Sequence, residues 1–198
     1  GEAILYLVRY LKKTHDYGLK FKPDPGKGFE CYCDADFSGN WNKSFAQVDP
    51  STAKSRSGWI VFYAACPVCW ASKLQSQVAL STTEAEYIAM SQALRDVIPV
   101  MNLIQEICEK GFEVMCTEPY VYCKVFEDNS GALELARLRK LRPRTKHINV
   151  CYHHFCEHVR KGLIKIFPID TKDQIADALT KALAQNDFQR HRRYMCGK

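Results

Sequence analysis

Apolar residues recur along this chain in two rhythms, and their succession predicts a mixed α/β order. Residues 3–13 carry apolar positions at helical spacing. Gly18 to Phe21 runs into Pro23-Asp24-Pro25-Gly26, a turn and boundary signal. Phe29 to Asp36 alternates and is rich in aromatic and cysteine residues, the pattern of a strand. A polar connection over 38–57, with Gly39-Asn40 and Asp49-Pro50, leads to two more strands at about 58–64 and 67–72, with Cys66-Pro67 near their turn.

Ser81 or Thr82 then caps a helix whose apolar positions fall at 87, 90, 94, 97, 98 and 101. Pro99 should kink or split it, because proline removes a backbone donor. The helical pattern resumes to about Lys110 and stops at Gly111. Tyr120 to Phe126 reads as a strand, Ser130 to Leu138 as a short helix, and 139–146 as a basic loop around Pro143. Ile148 to Lys161 reads as a helix ended by Gly162, and Leu163 to Ile169 as a strand. Thr171-x-x-Gln174 has the form of a capping box opening a last helix to about Leu183. Three strands with short connections, followed by strands joined through helices, predict a mixed sheet with helices on its faces.

The chain has 198 residues, 46% hydrophobic and 25% charged, the balance of a globular domain rather than a disordered or fibrous one. No apolar run approaches the ~18 residues of a membrane span, so no membrane partner is expected. The start Gly1-Glu2-Ala3 lacks an initiator Met and reads as a fragment or processed product.

The net charge of +6 is unevenly placed. Residues 137–165 hold nine of the 28 basic side chains (Arg137, Arg139, Lys140, Arg142, Arg144, Lys146, Arg160, Lys161 and Lys165) against Glu157 alone. The remaining 19 basic residues face 21 of the 22 acids. A mildly acidic body with one basic segment suits a polyanionic partner such as nucleic acid, although a solvated basic loop would have the same composition.

Ten cysteines without an export signal are expected to be reduced. Cys31 and Cys33 share one face of a strand, a poor geometry for bonding each other. Cys66-Pro-Val-Cys69 has the spacing of a zinc half-site or a redox pair, and Cys151, His154 and His158 fall on one helix face. Small buried hydrophobes are the plainer role for most of these thiols.

Acids gather at the ends of elements. Asp34 and Asp36 end the first strand, Glu84 and Glu86 open the long helix, Glu127 and Asp128 end the fourth strand, and Asp170, Asp173 and Asp177 surround the last helix. Oxygen ligands suit hard divalent cations, and a pair of such ions can hold both the attacking and the leaving oxygen of phosphoryl transfer. Helix capping would explain any single pair of these acids as well. Periodicity selects within each pair: Glu86 borders the face of Ala89, Met90, Ala93 and Val97, whereas Glu84 lines up with Ser91 and Arg95 on an exposed-looking face. Asp173 suits the helix dipole, while Asp177 lies one turn deeper. The selected set is Asp34, Glu86, Asp128 and Asp177.

With these residues in view the chain resembles the ribonuclease H domain of copia-type (Pseudoviridae-like) retrotransposon Pol polyproteins. The resemblance rests on Tyr10-Leu11-Lys12-Lys13-Thr14 with Asp16-Tyr17-Gly18-Leu19, Cys33-Asp34-Ala35-Asp36-Phe37-Ser38-Gly39 and Lys54-Ser55-Arg56-Ser57-Gly58. It continues through the segment from Ala79 to Ala89, Asp128-Asn129, Arg144-Thr145-Lys146-His147-Ile148, and the segment from Gln174 to Lys181. In this order the set is specific and spans nearly the whole chain.

The resemblance implies a ribonuclease H-like fold, a mixed five-stranded sheet with helices on both faces. It implies hydrolysis of the RNA strand of RNA/DNA hybrids, leaving 3′-hydroxyl and 5′-phosphate ends. It independently implies Asp34, Glu86, Asp128 and Asp177 as a D-E-D-D set holding two Mg²⁺ ions, with Mn²⁺ as a substitute. Asp34 would bridge the ions, Asp177 would join it on the water-activating one, and Glu86 and Asp128 would hold the one at the leaving oxygen. Residues 1–22 would be the tail of the connection from the polymerase, 23–185 the ribonuclease H domain and 186–198 a basic tail. The reverse transcriptase polymerase domain of the same polyprotein would be a partner, in the cytoplasm and within virus-like particles.

Thr82, Thr83, Asn129 and Ser130 are expected at sugar hydroxyls, and Arg137, Arg139, Lys140, Arg142, Arg144 and Lys146 at phosphates. Many ribonucleases H carry a mobile His before the last helix. Here Pro168 to Lys172 has none; His147 or His153 could take its place, or serve as structural residues. Three other readings stand beside this one: a catalytically silent nucleic-acid-binding domain, a transposase or integrase core on the same fold, and a zinc module. Integrase-type cores usually lack a Glu86-type ligand, and zinc analysis would separate the last.

Overall fold

A computed structural model describes residues 1–45, 48–112, 121–137 and 153–197. Five strands form one sheet: β1 (Phe29–Asp36), β2 (Arg56–Tyr63), β3 (Cys66–Leu74), β4 (Cys123–Glu127) and β5 (Ile164–Pro168), in the order β3-β2-β1-β4-β5. The first three are antiparallel neighbours, and β4 and β5 run parallel to β1. This is the mixed sheet that the connection lengths predict, since parallel strands need a crossover. The β2–β3 turn uses Ala64 and Ala65 at positive φ, and a register shift opposite Val61 and Phe62 accommodates Pro67 on the edge strand.

The two faces of the sheet bury different cores. One packs Phe29, Cys31, Cys33, Trp59 and Val125 against α2 (Thr82–Glu109), α3 (Ser130–Arg137) and Phe155, just ahead of α4 (Cys156–Arg160). The other packs Tyr32, Ile60 and Phe62 against Ile175 and Ala176, with Leu179 of α5 (Asp177–Thr180) and Met195 of α6 (Gln185–Met195) at its margin. Cys31, Cys33 and Cys123 are fully buried, and every described cysteine is a free thiol, in keeping with their use as small hydrophobes. Cys151, the third member of the Cys/His face, lies outside the described residues, as do Arg139, Lys140, Arg142, Arg144, Lys146 and His147.

Several elements differ from their sequence-based outlines. Helix α2 runs unbroken through Pro99. The proline is exposed, while Leu94, Val97 and Met101 are buried around it, so apolar burial outweighs one missing hydrogen bond. Glu84 is buried rather than exposed: its carboxylate turns back to accept the Leu80 N–H at 2.8 Å, while Ser81 Oγ accepts the Glu84 N–H at 3.1 Å. The capping box expected at Thr171 does not form. Asp170 caps a short 3-10 turn over Thr171–Asp173 instead, and Gln174 leaves it with a buried side chain. The helix expected to open at Thr171 is consequently the four-residue α5.

The helix expected from Ile148 is described from residue 153 onward, as a 3-10 turn His153–Phe155 followed by α4, and it ends at Gly162 as expected. The basic C-terminal segment contains α6, whose Tyr194 packs edge-on against Tyr32 and Phe62. The N-terminal helix α1 (Glu2–Lys13) lies exposed. The segment after it meets α6 through Tyr17 beneath Arg192 and the Lys20 N–H on the Cys196 carbonyl. No helix among the described residues is long and apolar enough to cross a membrane.

Candidate metal centre and nucleic-acid interface

Three elements deliver carboxylates to one place. Asp34 comes from β1, Glu86 from the first turns of α2, and Asp128 from the residue after β4. One oxygen of each lies within 4.8 Å of the others. Asp34 and Glu86 are buried and Asp128 is half-buried. Among the described residues this is the group of acids, histidines or cysteines arranged to hold an ion.

The fourth selected acid stands beside this cluster rather than in it. Asp177, at the start of α5, is buried and raises the proton affinity of Asp34. One of its oxygens is 2.9 Å from Lys181 Nζ, one turn on. The Thr180 hydroxyl donates to Asp34 Oδ2. Asp34 thus interacts with Asp177 and Thr180 as well as standing with Glu86 and Asp128.

Burial without a bound cation is unfavourable for such a set, and the proton affinities show it. Burial pushes Asp34 up to about 7, against the Thr180 hydrogen bond and with the Asp177 charge. Burial, then the charges of Glu127, Asp34 and Asp128, push Glu86 up to about 11, although the Ala35 N–H donates to it. Glu86 Oε2 has no hydrogen-bond partner. A buried oxygen left unpaired beside two other carboxylates matches the donor set of a hard divalent cation, Mg²⁺ or Mn²⁺.

A further buried acid was not selected from the sequence. Glu127 is fully buried; its Oε1 accepts the Asn129 N–H at 3.0 Å and Cys33 Sγ approaches Oε2 at 3.6 Å. Burial pushes it up to about 8, opposed by the Asn129 N–H. The period of two along β4 was the available signal, since Cys123, Val125 and Glu127 share one inward face.

Thr83 and Asn129 also meet at this edge. The Thr83 hydroxyl donates to Asn129 Oδ1 at 3.3 Å, and the same oxygen accepts the Ala132 N–H at 3.0 Å. Thr82 and Ser130 are exposed beside them, so the starts of α2 and α3 form one polar rim next to Glu86 and Asp128. Arg137 stands at the opposite end of α3, its guanidinium donating to the Ile166 carbonyl at 2.7 Å. Of the expected substitutes for a loop histidine, His147 lies outside the described residues and His153 is described by its backbone alone.

No protein-family profile matches the chain. It is 36% identical over 190 residues to the retrovirus-related Pol polyprotein from transposon TNT 1-94 of Nicotiana tabacum, and 31% identical over 188 residues to that from transposon RE1 of Arabidopsis thaliana. Each match takes in 95% of this chain and 13% or 12% of the relative, so the chain spans about an eighth of their length. Its fold is similar to that of LC11-RNase H1, isolated from compost, with a TM-score of 0.52 and 15% identity over 77% of this chain and 92% of that one. The chain is a ribonuclease H-like domain, homologous over nearly its whole length to a segment of copia-type retrotransposon Pol polyproteins.

Proposed function

We propose that this domain is a ribonuclease H that hydrolyses the RNA strand of RNA/DNA hybrids during reverse transcription of a retrotransposon. The observation that carries the reading is the convergence of Asp34, Glu86 and Asp128 within 4.8 Å, with a buried Glu86 oxygen left unpaired. The homology to Pol polyproteins supports a polymerase partner in the same polyprotein, and action inside the cell within virus-like particles.

Two Mg²⁺ ions, or Mn²⁺ in their place, would supply activation of water and neutralisation of the leaving oxygen when bound. Asp34 interacts with Asp177 and also stands with Glu86 and Asp128, so it would serve as a ligand to both ions. Glu86 and Asp128 would hold the ion on their side, and Asp177 would join Asp34 on the other once it leaves Lys181. The rim of Thr82, Thr83, Asn129 and Ser130 offers hydroxyl and amide groups to ribose, whose 2′-hydroxyl distinguishes RNA from DNA. Arg137 and the basic residues 139–146 would meet phosphates, giving salt-dependent affinity.

The test is cleavage of a labelled RNA/DNA hybrid with Mg²⁺ by the wild type and Asp128→Asn, with single-stranded RNA and duplex RNA as controls. Hybrid-only cutting that disappears in the variant establishes the activity. Cutting that survives the substitution rejects this carboxylate assignment. A second reading, a catalytically silent hybrid-binding domain, draws on the Asp177–Lys181 ion pair outside the cluster. Salt-sensitive hybrid binding without cutting would select it.

A further inference from the structure

The parallel ladder between β1 and β4 stops early. Its last pair is Tyr32 with Phe126, although β1 continues to Asp36 against β2 and β4 continues to Glu127 against β5. The last pair of this ladder therefore lies two residues before Asp34 and two before Asp128. At the fork the Cys33 carbonyl lies past the last pair of this ladder, and Cys33 Sγ approaches the Phe126 carbonyl at 3.8 Å from the opposite strand.

Gln174 fills that gap. Its side chain is fully buried, and Nε2 donates to the Cys33 carbonyl at 2.9 Å and to the Phe126 carbonyl at 3.2 Å. Its Oε1 faces the Ala176 N–H at 3.4 Å, so the same amide also braces the turn that leads to Asp177. The two N–H groups of one planar amide stand at a fixed separation, and both carbonyls must meet them.

We infer that Gln174 is a positioning residue for the carboxylate cluster: it props the fork between β1 and β4, sets the separation of Asp34 from Asp128, and anchors the chain that carries Asp177. The inference rests on the metal-centre reading given above and adds a residue that touches no ligand atom. Removing the amide takes a hydrogen-bond donor from both carbonyls at the fork, and the strands can then relieve the loss by closing or twisting. Either movement displaces the ligands, and groups that orient metal ligands from behind typically change affinity by roughly 10- to 100-fold.

The experiment compares Gln174→Met, which keeps length but loses both donors, with Met101→Ala at the distal part of α2 and with Asp34→Asn. Ca²⁺ binding by calorimetry, thermal midpoint, and kcat and KM on a hybrid are read for each. Gln174→Met is expected to bind Ca²⁺ roughly tenfold or more weakly and to lose kcat with KM unchanged. Met101→Ala should lower the midpoint while Ca²⁺ affinity stays at the wild-type value. Gln174→Asn, which keeps the amide but is too short to span both carbonyls, repeats the measurement if the methionine variant does not fold.

Wild-type Ca²⁺ affinity and kcat in both Gln174 variants would overturn the inference and leave a purely structural residue. If the wild type binds Ca²⁺, Asp34→Asn abolishes it and the Gln174 variants do not weaken it, this inference fails alone. If the wild type itself binds no Ca²⁺, the metal-centre reading fails and takes the inference with it.

Discussion

Asp34 stands directly across the β1–β2 ladder from Gly58, and the side chain that Gly58 lacks is where α5 lands. A Cβ there would lie 2.7 Å from Thr180 Cγ2, 2.8 Å from Leu179 Cβ and 3.2 Å from the Ala176 carbonyl. The close approach brings Thr180 onto Asp34 and Asp177 beside it. Gly58→Ala should therefore push α5 off the sheet, costing about 1–3 kcal/mol by overpacking. Denaturant unfolding measures that loss. Hybrid cleavage should fall with it, and a variant of full stability and activity would contradict this packing.

The metal-free protein should be most stable in acid. Asp34, Glu127 and Glu86 hold protons up to about 7, 8 and 11 in the folded chain, whereas unfolded carboxyls titrate near ~4. Folded groups that bind protons more tightly contribute stability below the unfolded value and lose it as pH rises through the folded one. Asp49 and Glu157 are shifted the opposite way, by Ser51 and by Lys161, and their smaller contributions fade in stronger acid. The expected maximum lies at or below ~pH 4, where unfolded carboxyls begin to ionise. Thermal midpoints without metal should fall from there to ~pH 8.5, and Ca²⁺ should restore much of the loss by binding the folded state. A metal-free midpoint that rises with pH would rule this out.

Glu127 should tolerate replacement by Gln. Its Oε1 accepts the Asn129 N–H, a role a glutamine carbonyl can take over, and the acid is not a member of the three-carboxylate group. Glu127→Gln should retain hybrid cleavage within a fewfold, and remove one source of the repulsion at Glu86. Assayed beside Asp128→Asn and Glu86→Gln, it separates a supporting acid from a ligand. Loss of activity as complete as theirs would place Glu127 among the ligands.

Pro99 should be a site of easy stabilisation. It is exposed within an unbroken helix, and Pro costs ~3 kcal/mol relative to Ala at an ordinary interior helix position. Pro99→Ala is expected to raise stability by about 1 kcal/mol or more, which is ~2–4 °C per kcal/mol for a chain of this size. Scanning calorimetry reads the shift, and an unchanged or lower midpoint would mean that the proline fits its local backbone without strain.

Much of this architecture was legible along the chain because its signals are local. The alternation from Phe29 to Asp36, the helical period beginning at Thr83 and the stop at Gly162 each depend on neighbours within a few residues. The choice of Glu86 over Glu84 also followed from helical period, although Glu84 is buried for a local reason of its own, folding back on Leu80. The motif order carried the family resemblance, and that resemblance singled out the same four acids.

What the tertiary structure decided were relationships between residues far apart in sequence. Gln174 was legible as a helix cap, yet its amide reaches Cys33 and Phe126, and only the forked sheet places both carbonyls within its reach. Pro99 breaks a helix by local rules, but burial of Leu94, Val97 and Met101 against the sheet holds α2 together. The meeting of Asp34, Glu86 and Asp128 needs β1, α2 and β4 to be packed, and the contact of Thr180 with Asp34 depends on where α5 settles over Gly58. Periodicity names the face a side chain takes, whereas distances between carboxylates belong to the packed sheet.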